Sequence, residues 1–266
     1  MGALFIALTL LGYLGSAILA VAQLYDMKQA KWADLLAWLG FAAQTVWLVQ
    51  RGWSIGNIPA ATLYDWIAFV VWIAVGLYLV LARRFGMTPV AAFLFPVVFA
   101  LWAASQAMSH RVTAELMPGA GPWLTLHLLL TTLAHVAFLM AAVFGIMYME
   151  KERELRTKQV RLFYYQLPAL DAMDTLTGRL IVAGWGLLTL ALAAGALASD
   201  ALSGTYWVWT PKVTVSLLIW GLYGFLVLTR VIGRWQGHRV AIWSMVGFLA
   251  VVINLFGISL LFPTRW

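Results

Sequence analysis

Eight separate runs of about twenty apolar residues fill most of this chain, and no other feature limits its fold as tightly. A helix needs roughly 20 such residues, rising 1.5 Å each, to cross the hydrocarbon of a bilayer. The runs are Ala3–Leu24, Ala33–Val49, Ala61–Leu81, Thr88–Ala104, Pro122–Met149, Leu176–Ala198, Val213–Ile232 and Val240–Phe262. Only 10% of the 266 residues are charged, against about 25% in soluble proteins. Water cannot be the solvent for such a surface, so lipid must be. The reading is an all-α integral membrane protein, a bundle of about eight transmembrane helices in a single transmembrane domain over residues 1–266. The first run has no basic stretch before it and leads into further spans, so it reads as a retained helix and not a cleaved signal peptide.

The charges orient the bundle. One set of connections holds Lys28 and Lys31, Arg83 and Arg84, Lys151 to Arg161, and Arg230, Arg234 and Arg239. With Arg179 this set carries 13 of the 17 Lys and Arg, leaving Arg51, Arg111, Lys212 and Arg265 on the other side. The positive-inside bias then puts both termini outside, which in a bacterial inner membrane is the periplasm. It also accounts for the net charge of +7 without a nucleic-acid partner. The charged stretch Met149–Arg161 reads as an extension of the fifth helix beyond the membrane, and Pro168 stops any helix there. On the outer side, residues 105–121 and 199–211 form the two long connections.

The residues that carry chemistry are few. The sequence has no cysteine, which excludes disulfides, thiolate metal sites and covalent haem on this chain. It has no phosphate-binding glycine loop, no HExxH and no GxSxG, so nothing marks the chain as an enzyme on its own. Asp65, Asp171 and Asp174 sit where helix N-termini are expected. Of four histidines, His238 lies in the basic loop and His110 in an outer one. His127 falls near the outer end of the fifth span. His135 is eight residues further in, about 12 Å along the axis and close to the membrane centre. Eight residues also turn the helix by about 80° beyond two full turns, so the two rings cannot ligate one metal atom together. Each is either a ligand, since neutral imidazole binds iron well, or a histidine hydrogen-bonded to a neighbouring helix. Tyr206, Trp207 and Trp209, followed by Pro211 and Lys212, make an apolar platform beside a cation. Such a platform suits a flat macrocycle, with Arg51, Arg111 and Lys212 as outer cations for its carboxylates; an ordinary aromatic belt is the alternative.

The order of these features resembles the cytochrome c assembly protein family, the haem-handling membrane proteins that include CcsA, CcmC and the HemX/YpjD-like proteins. The resemblance rests on Gly204-Thr-Tyr-Trp-Val-Trp-Thr-Pro-Lys-Val-Thr-Val-Ser-Leu-Leu-Ile-Trp-Gly-Leu-Tyr223, on the basic loop Arg234-Trp-Gln-Gly-His-Arg-Val-Ala241, on Gly247-Phe248 and on Phe256-Gly-Ile-Ser259. Leu126-His127, Leu133-Ala134 and Tyr148 fit the family's fifth helix. Phe41–Arg51 and Pro59–Phe69 fit its second and third spans more loosely. Size and the absence of an inserted domain resemble the compact HemX/YpjD-like branch.

The resemblance implies non-covalent haem b, bound near the outer face of the bacterial inner membrane. It implies partners too: a membrane protein, and either apocytochrome c or a component of haem biosynthesis. His127 matches the family's outer histidine, the ligand to haem iron, and Trp207, Trp209, Pro211 and Lys212 match its tryptophan-rich motif. Other positions depart. Thr210 stands for the motif's acid and Val213 for its later Glu. Gln44 and Leu228 stand where intramembrane histidines are usual, His135 stands where a Tyr is usual, and Phe262-Pro-Thr-Arg-Trp266 holds no second outer histidine. Two expectations follow. One is a haem-holding assembly protein with altered ligation, with His127 as outer ligand and His135 holding a second haem or supporting the first. The other is a structural or regulatory subunit whose ligands have decayed. The retained tryptophan segment and His127 favour the first.

Overall fold

A computed structural model of the chain describes residues 2–24, 30–56, 62–108, 121–158 and 165–258. Eight α-helices among them are long and apolar enough to cross a membrane, and no strand occurs among the described residues. They are α1 (Gly2–Gln23), α2 (Ala30–Ile55), α3 (Leu63–Phe85), α4 (Ala91–Ser105, entered through the 3-10 turn Thr88–Val90), α5 (Gly121–Thr157), α6 (Leu170–Ser203), α7 (Pro211–Val231) and α8 (His238–Ile253), the last continuing as a π-turn over Asn254–Ile258. Every expected span is present. The helices overrun the apolar runs at polar ends: α2 reaches Ile55, α6 starts at Leu170, and α5 extends to Thr157 as its charge pattern predicts. His110, Arg111, Arg161 and the Phe262–Trp266 segment lie outside the described residues.

The helices fall into two compact units, Met1–Val112 with Met149–Leu170, and Thr113–Tyr148 with Asp171–Trp266. In the first unit, α1 and α2 approach so closely that a Cβ on Gly12 would meet the Gly40 Cα at 2.8 Å. Lipid supplies no hydrophobic drive between helices, so small residues that let backbones touch do that work. Several polar groups of this core answer one another. The Tyr13 hydroxyl donates to Gln44 Oε1 at 2.5 Å, and the Gln44 amide donates to the Ala68 carbonyl at 2.9 Å. The Tyr78 hydroxyl donates to Asp34 Oδ1 at 2.6 Å. Lys151 is buried and donates to the carbonyls of Leu167 and Pro168, both at 2.8 Å. Gln166 reaches the α1 terminus at the Gln23 carbonyl, 3.3 Å away.

In the second unit the core is aromatic. Phe138 of α5 stacks on Tyr223 of α7 with centroids 3.6 Å apart, and Gly184 of α6 leaves room for the Phe138 ring. Trp185 and Trp220 join α6 to α7. The Trp185 indole donates to the Trp220 carbonyl at 3.1 Å, and the Trp220 indole donates to Thr189 Oγ1 at 2.8 Å.

Candidate functional site

One end of the second unit gathers most of the residues singled out in the sequence. His127 sits two turns into α5, half-buried, with Nδ1 2.7 Å from the Ala191 carbonyl of α6. A carbonyl only accepts, so Nδ1 carries the proton and Nε2 keeps its lone pair. The seat for the ring is Gly195, one turn on from Ala191, where a Cβ would stand 2.8 Å from His127 Nδ1. Sequence reading did not find Gly195, because a glycine in an apolar span carries no signal of what packs on it.

His135 lies deeper, only 8% exposed, inside the packed stretch from Ala134 to Phe144. Its Nδ1 is 2.6 Å from the Thr131 carbonyl of its own helix, and its ring meets Phe138 edge-on. The two histidines therefore differ: one is tied to a neighbouring helix near the surface, the other to its own helix within the core. Lys212 lies in the first turn of α7, beside the Thr210 cap.

The aromatic segment is exposed as expected. Tyr206, Trp207 and Trp209 all project from the connection between α6 and α7, with Trp209 the most open at 72%. Two local devices hold this connection. Gly204 ends α6 with φ of 70° while its N–H returns to the Asp200 carbonyl at 2.8 Å. Thr210 then caps α7: its backbone is extended, its hydroxyl accepts the Val213 N–H at 3.2 Å, and Pro211 takes the first helical position. This explains the departures at these positions. The Asp-Pro-Lys-Glu that the resemblance sets against these positions has the spacing of a capping box. Thr210 keeps the capping half, and Val213 gives up the reciprocal half.

Trp207 addresses a different face of α6 from His127. It closes an apolar groove of about 250 Å³ lined by Thr189, Leu192, Ala193 and Ala196 of α6 with Leu217 and Trp220 of α7. At 100° per residue, this groove lies roughly a third of a turn around α6 from the Ala191–Gly195 face. The helix α6 is thus the wall between the histidine and the tryptophan groove.

Of the two other candidate cations, Arg51 is paired and Arg111 lies outside the described residues. Arg51 belongs to the first unit and forks onto Asp65, with Nε 2.8 Å from Oδ1 and Nη2 3.2 Å from Oδ2. Asp65 is fully buried at the third position of α3, where its N–H is accepted by the Thr62 hydroxyl at 3.1 Å. The helix-start reading of Asp65 holds, and the 14-residue link to Arg51 adds a partner to it. Among the described residues no cluster of three or more His, Cys, Asp or Glu can hold a bare metal ion.

The structure thus defines a multi-pass helical membrane protein with a histidine and an aromatic segment at one end of its second unit. Residues 60–264 match the cytochrome C assembly protein family, and the chain belongs to that family. It is 26% identical to the cytochrome c biogenesis protein CcsA of Synechococcus sp. (strain CC9605), over 95% of this chain and 93% of that one. It is 27% identical to the CcsA of Parasynechococcus marenigrum (strain WH8102), over 86% and 83%, and 26% identical to that of Prochlorococcus marinus (strain NATL2A), over 91% and 85%. Its fold is similar to that of the cytochrome c haem lyase CcmF, with a TM-score of 0.66 at 16% identity. That match covers 98% of this chain and 50% of CcmF, so the chain spans about half of that protein's length.

Proposed function

We propose that this chain is a haem-handling membrane protein of cytochrome c assembly, holding non-covalent haem b as cargo near the outer face of the bacterial inner membrane. The observation that carries the reading is the His127 tautomer. A histidine that binds iron nearly always donates its other N–H to a carbonyl or carboxylate, which fixes the ring and raises its basicity. Ala191 accepts that proton, and the nitrogen left with a lone pair is Nε2. Tyr206 and Trp209, exposed and outside the groove that Trp207 lines, offer apolar surface for a macrocycle, and Lys212 offers a cation for its carboxylates. Haem, when bound, supplies the group that is delivered to an apocytochrome. The chain's own part is to bind it, fix its orientation through His127 and keep one face toward a partner membrane protein.

His135 serves this site as internal support and not as an independent ligand, because its ring is enclosed by its own helix and Phe138. A second reading, a regulatory subunit of HemX-like type, is favoured by one observation. Gln44, in place of an intramembrane histidine, is a satisfied amide between Tyr13 and Ala68, with nothing left to offer a metal.

An absorption spectrum of the protein purified in mild detergent from haem-replete cells, with pyridine haemochrome quantification, tests the choice. The expected result is a Soret band that His127→Ala shifts or abolishes and His135→Ala largely retains. Haem kept in His127→Ala but lost in His135→Ala moves the site to mid-membrane. No haem after reconstitution leaves the regulatory reading.

A further inference from the structure

The loop between α7 and α8 is built more firmly than an exposed turn needs to be. Arg230, near the end of α7, forks onto Asp174 of α6, with Nη1 2.7 Å from Oδ1 and Nη2 2.8 Å from Oδ2. The same guanidinium donates to the Asp174 carbonyl at 3.1 Å and to the Trp235 carbonyl at 3.4 Å. The Gly237 N–H donates to Asp174 Oδ1 at 2.7 Å, and the Trp235 N–H returns to the Thr229 carbonyl at 3.0 Å. The acid that could neutralise the loop is therefore consumed in fastening it.

Two arginines remain on this frame. Arg234 and Arg239 are exposed, and neither has an acidic partner among the described residues. Arg234 is held at φ of 50°, a region that residues other than glycine seldom adopt. The Arg239 guanidinium lies over the Trp235 ring, 5.7 Å from its centroid, and the indole meets Phe225 of α7 edge-on. The result is two guanidinium groups and an interfacial indole, placed where the apolar helix surface ends. Guanidinium forks recognise phosphate, and an indole at the headgroup level anchors the region just below it.

We infer that the α7–α8 loop is a preformed binding site for an anionic phospholipid, its phosphate paired with Arg234 and Arg239 and its glycerol stem beside Trp235. Juxtamembrane basic residues attract anionic lipid in any case, so the distinguishing claim is that the frame matters. Diffuse attraction depends on net charge alone. A framed site depends on Asp174, whose removal adds positive charge and yet loosens the loop.

Native mass spectrometry of the full chain in detergent, titrated with phosphatidylglycerol and with phosphatidylcholine, tests this. The expected result is a saturable preference for phosphatidylglycerol that Arg234→Gln and Arg239→Gln each weaken by about fivefold. Arg84→Gln, an exposed arginine elsewhere, leaves it unchanged. Asp174→Asn weakens it as well, and the two surface variants carry the test if that protein does not fold. Equal binding of both lipids would overturn the inference. So would an equal loss in Arg84→Gln, tighter binding by a folded Asp174→Asn, or displacement of the lipid by millimolar inorganic phosphate.

Discussion

The polar side chains singled out in the two units of this molecule serve different ends. In the first, three pairs of polar side chains close on one another: Tyr13 with Gln44, Tyr78 with Asp34, Arg51 with Asp65. In the second, hydrogen bonds orient side chains and still leave something over. His127 spends one nitrogen on Ala191 and keeps the other, Thr210 caps a helix beside exposed tryptophans, and Asp174 fastens a loop that presents two more arginines. The same residue types act as structure where their capacity is used up and as chemistry where it is not. In hydrocarbon this difference is enlarged, because a polar group left over must find either a ligand or a route to water.

The largest effect that bears on this contrast lies in the first unit. Asp65→Ala removes the carboxylate that Arg51 forks onto and is expected to destabilise the protein by about 1.5–3 kcal/mol, the range for a lost hydrogen bond to a charged group, because the guanidinium keeps some access to solvent. Thermal unfolding in detergent reads this, and haem bound per folded molecule stays constant. A fall in haem per folded protein would erase the division between frame and site.

Next in size is Gly195→Ala. The added methyl enters the space of His127 Nδ1 and displaces the ring from Ala191. Loss of an outer partner typically costs a metal ligand 10–100-fold in affinity, so haem affinity is expected to fall by about that factor. Nitrogen-15 spectra of histidine-labelled protein give a second readout, a changed His127 tautomer even without haem. An unaltered tautomer and unaltered haem affinity would show that the seat does not position the ring.

The smallest effect separates capping from ligation in the tryptophan segment. Thr210→Ala removes an N-cap and is expected to cost about 1 kcal/mol, whereas Thr210→Asp restores or exceeds the original stability. Melting curves of the two variants decide it. A large loss of haem in Thr210→Ala at little cost in stability would give Thr210 a direct role at the site.

Much of the fold was legible because a bilayer imposes one strict length on every crossing. Counting apolar residues found all eight helices, yet it stopped α2 at Val49 and began α6 at Leu176. The helices run further because the end residues have partners that composition does not reveal. Arg51 extends α2 to meet Asp65, and Asp174 lies in the first turns of α6 to receive Arg230. Candidate residues were legible where a residue type announces its chemistry, as at His127 and the tryptophans. It was illegible where the contribution is a missing side chain or a carbonyl, as at Gly195 and Ala191. Arg51 is expected from the sequence as a cation for a ligand's carboxylates, but the sequence does not show that Asp65 has already claimed it.

One feature of the first unit bears on how the chain is made. Lys151 and Gln166, which tie down Leu167, Pro168 and the end of α1, are encoded after α5 has begun. Domains generally fold as units during synthesis, at about 5–20 residues per second. The first four helices must therefore wait in the membrane, unfinished, while the segment that bears His127 is translated. The helix that carries His127 is made before the frame that precedes it in the sequence can lock.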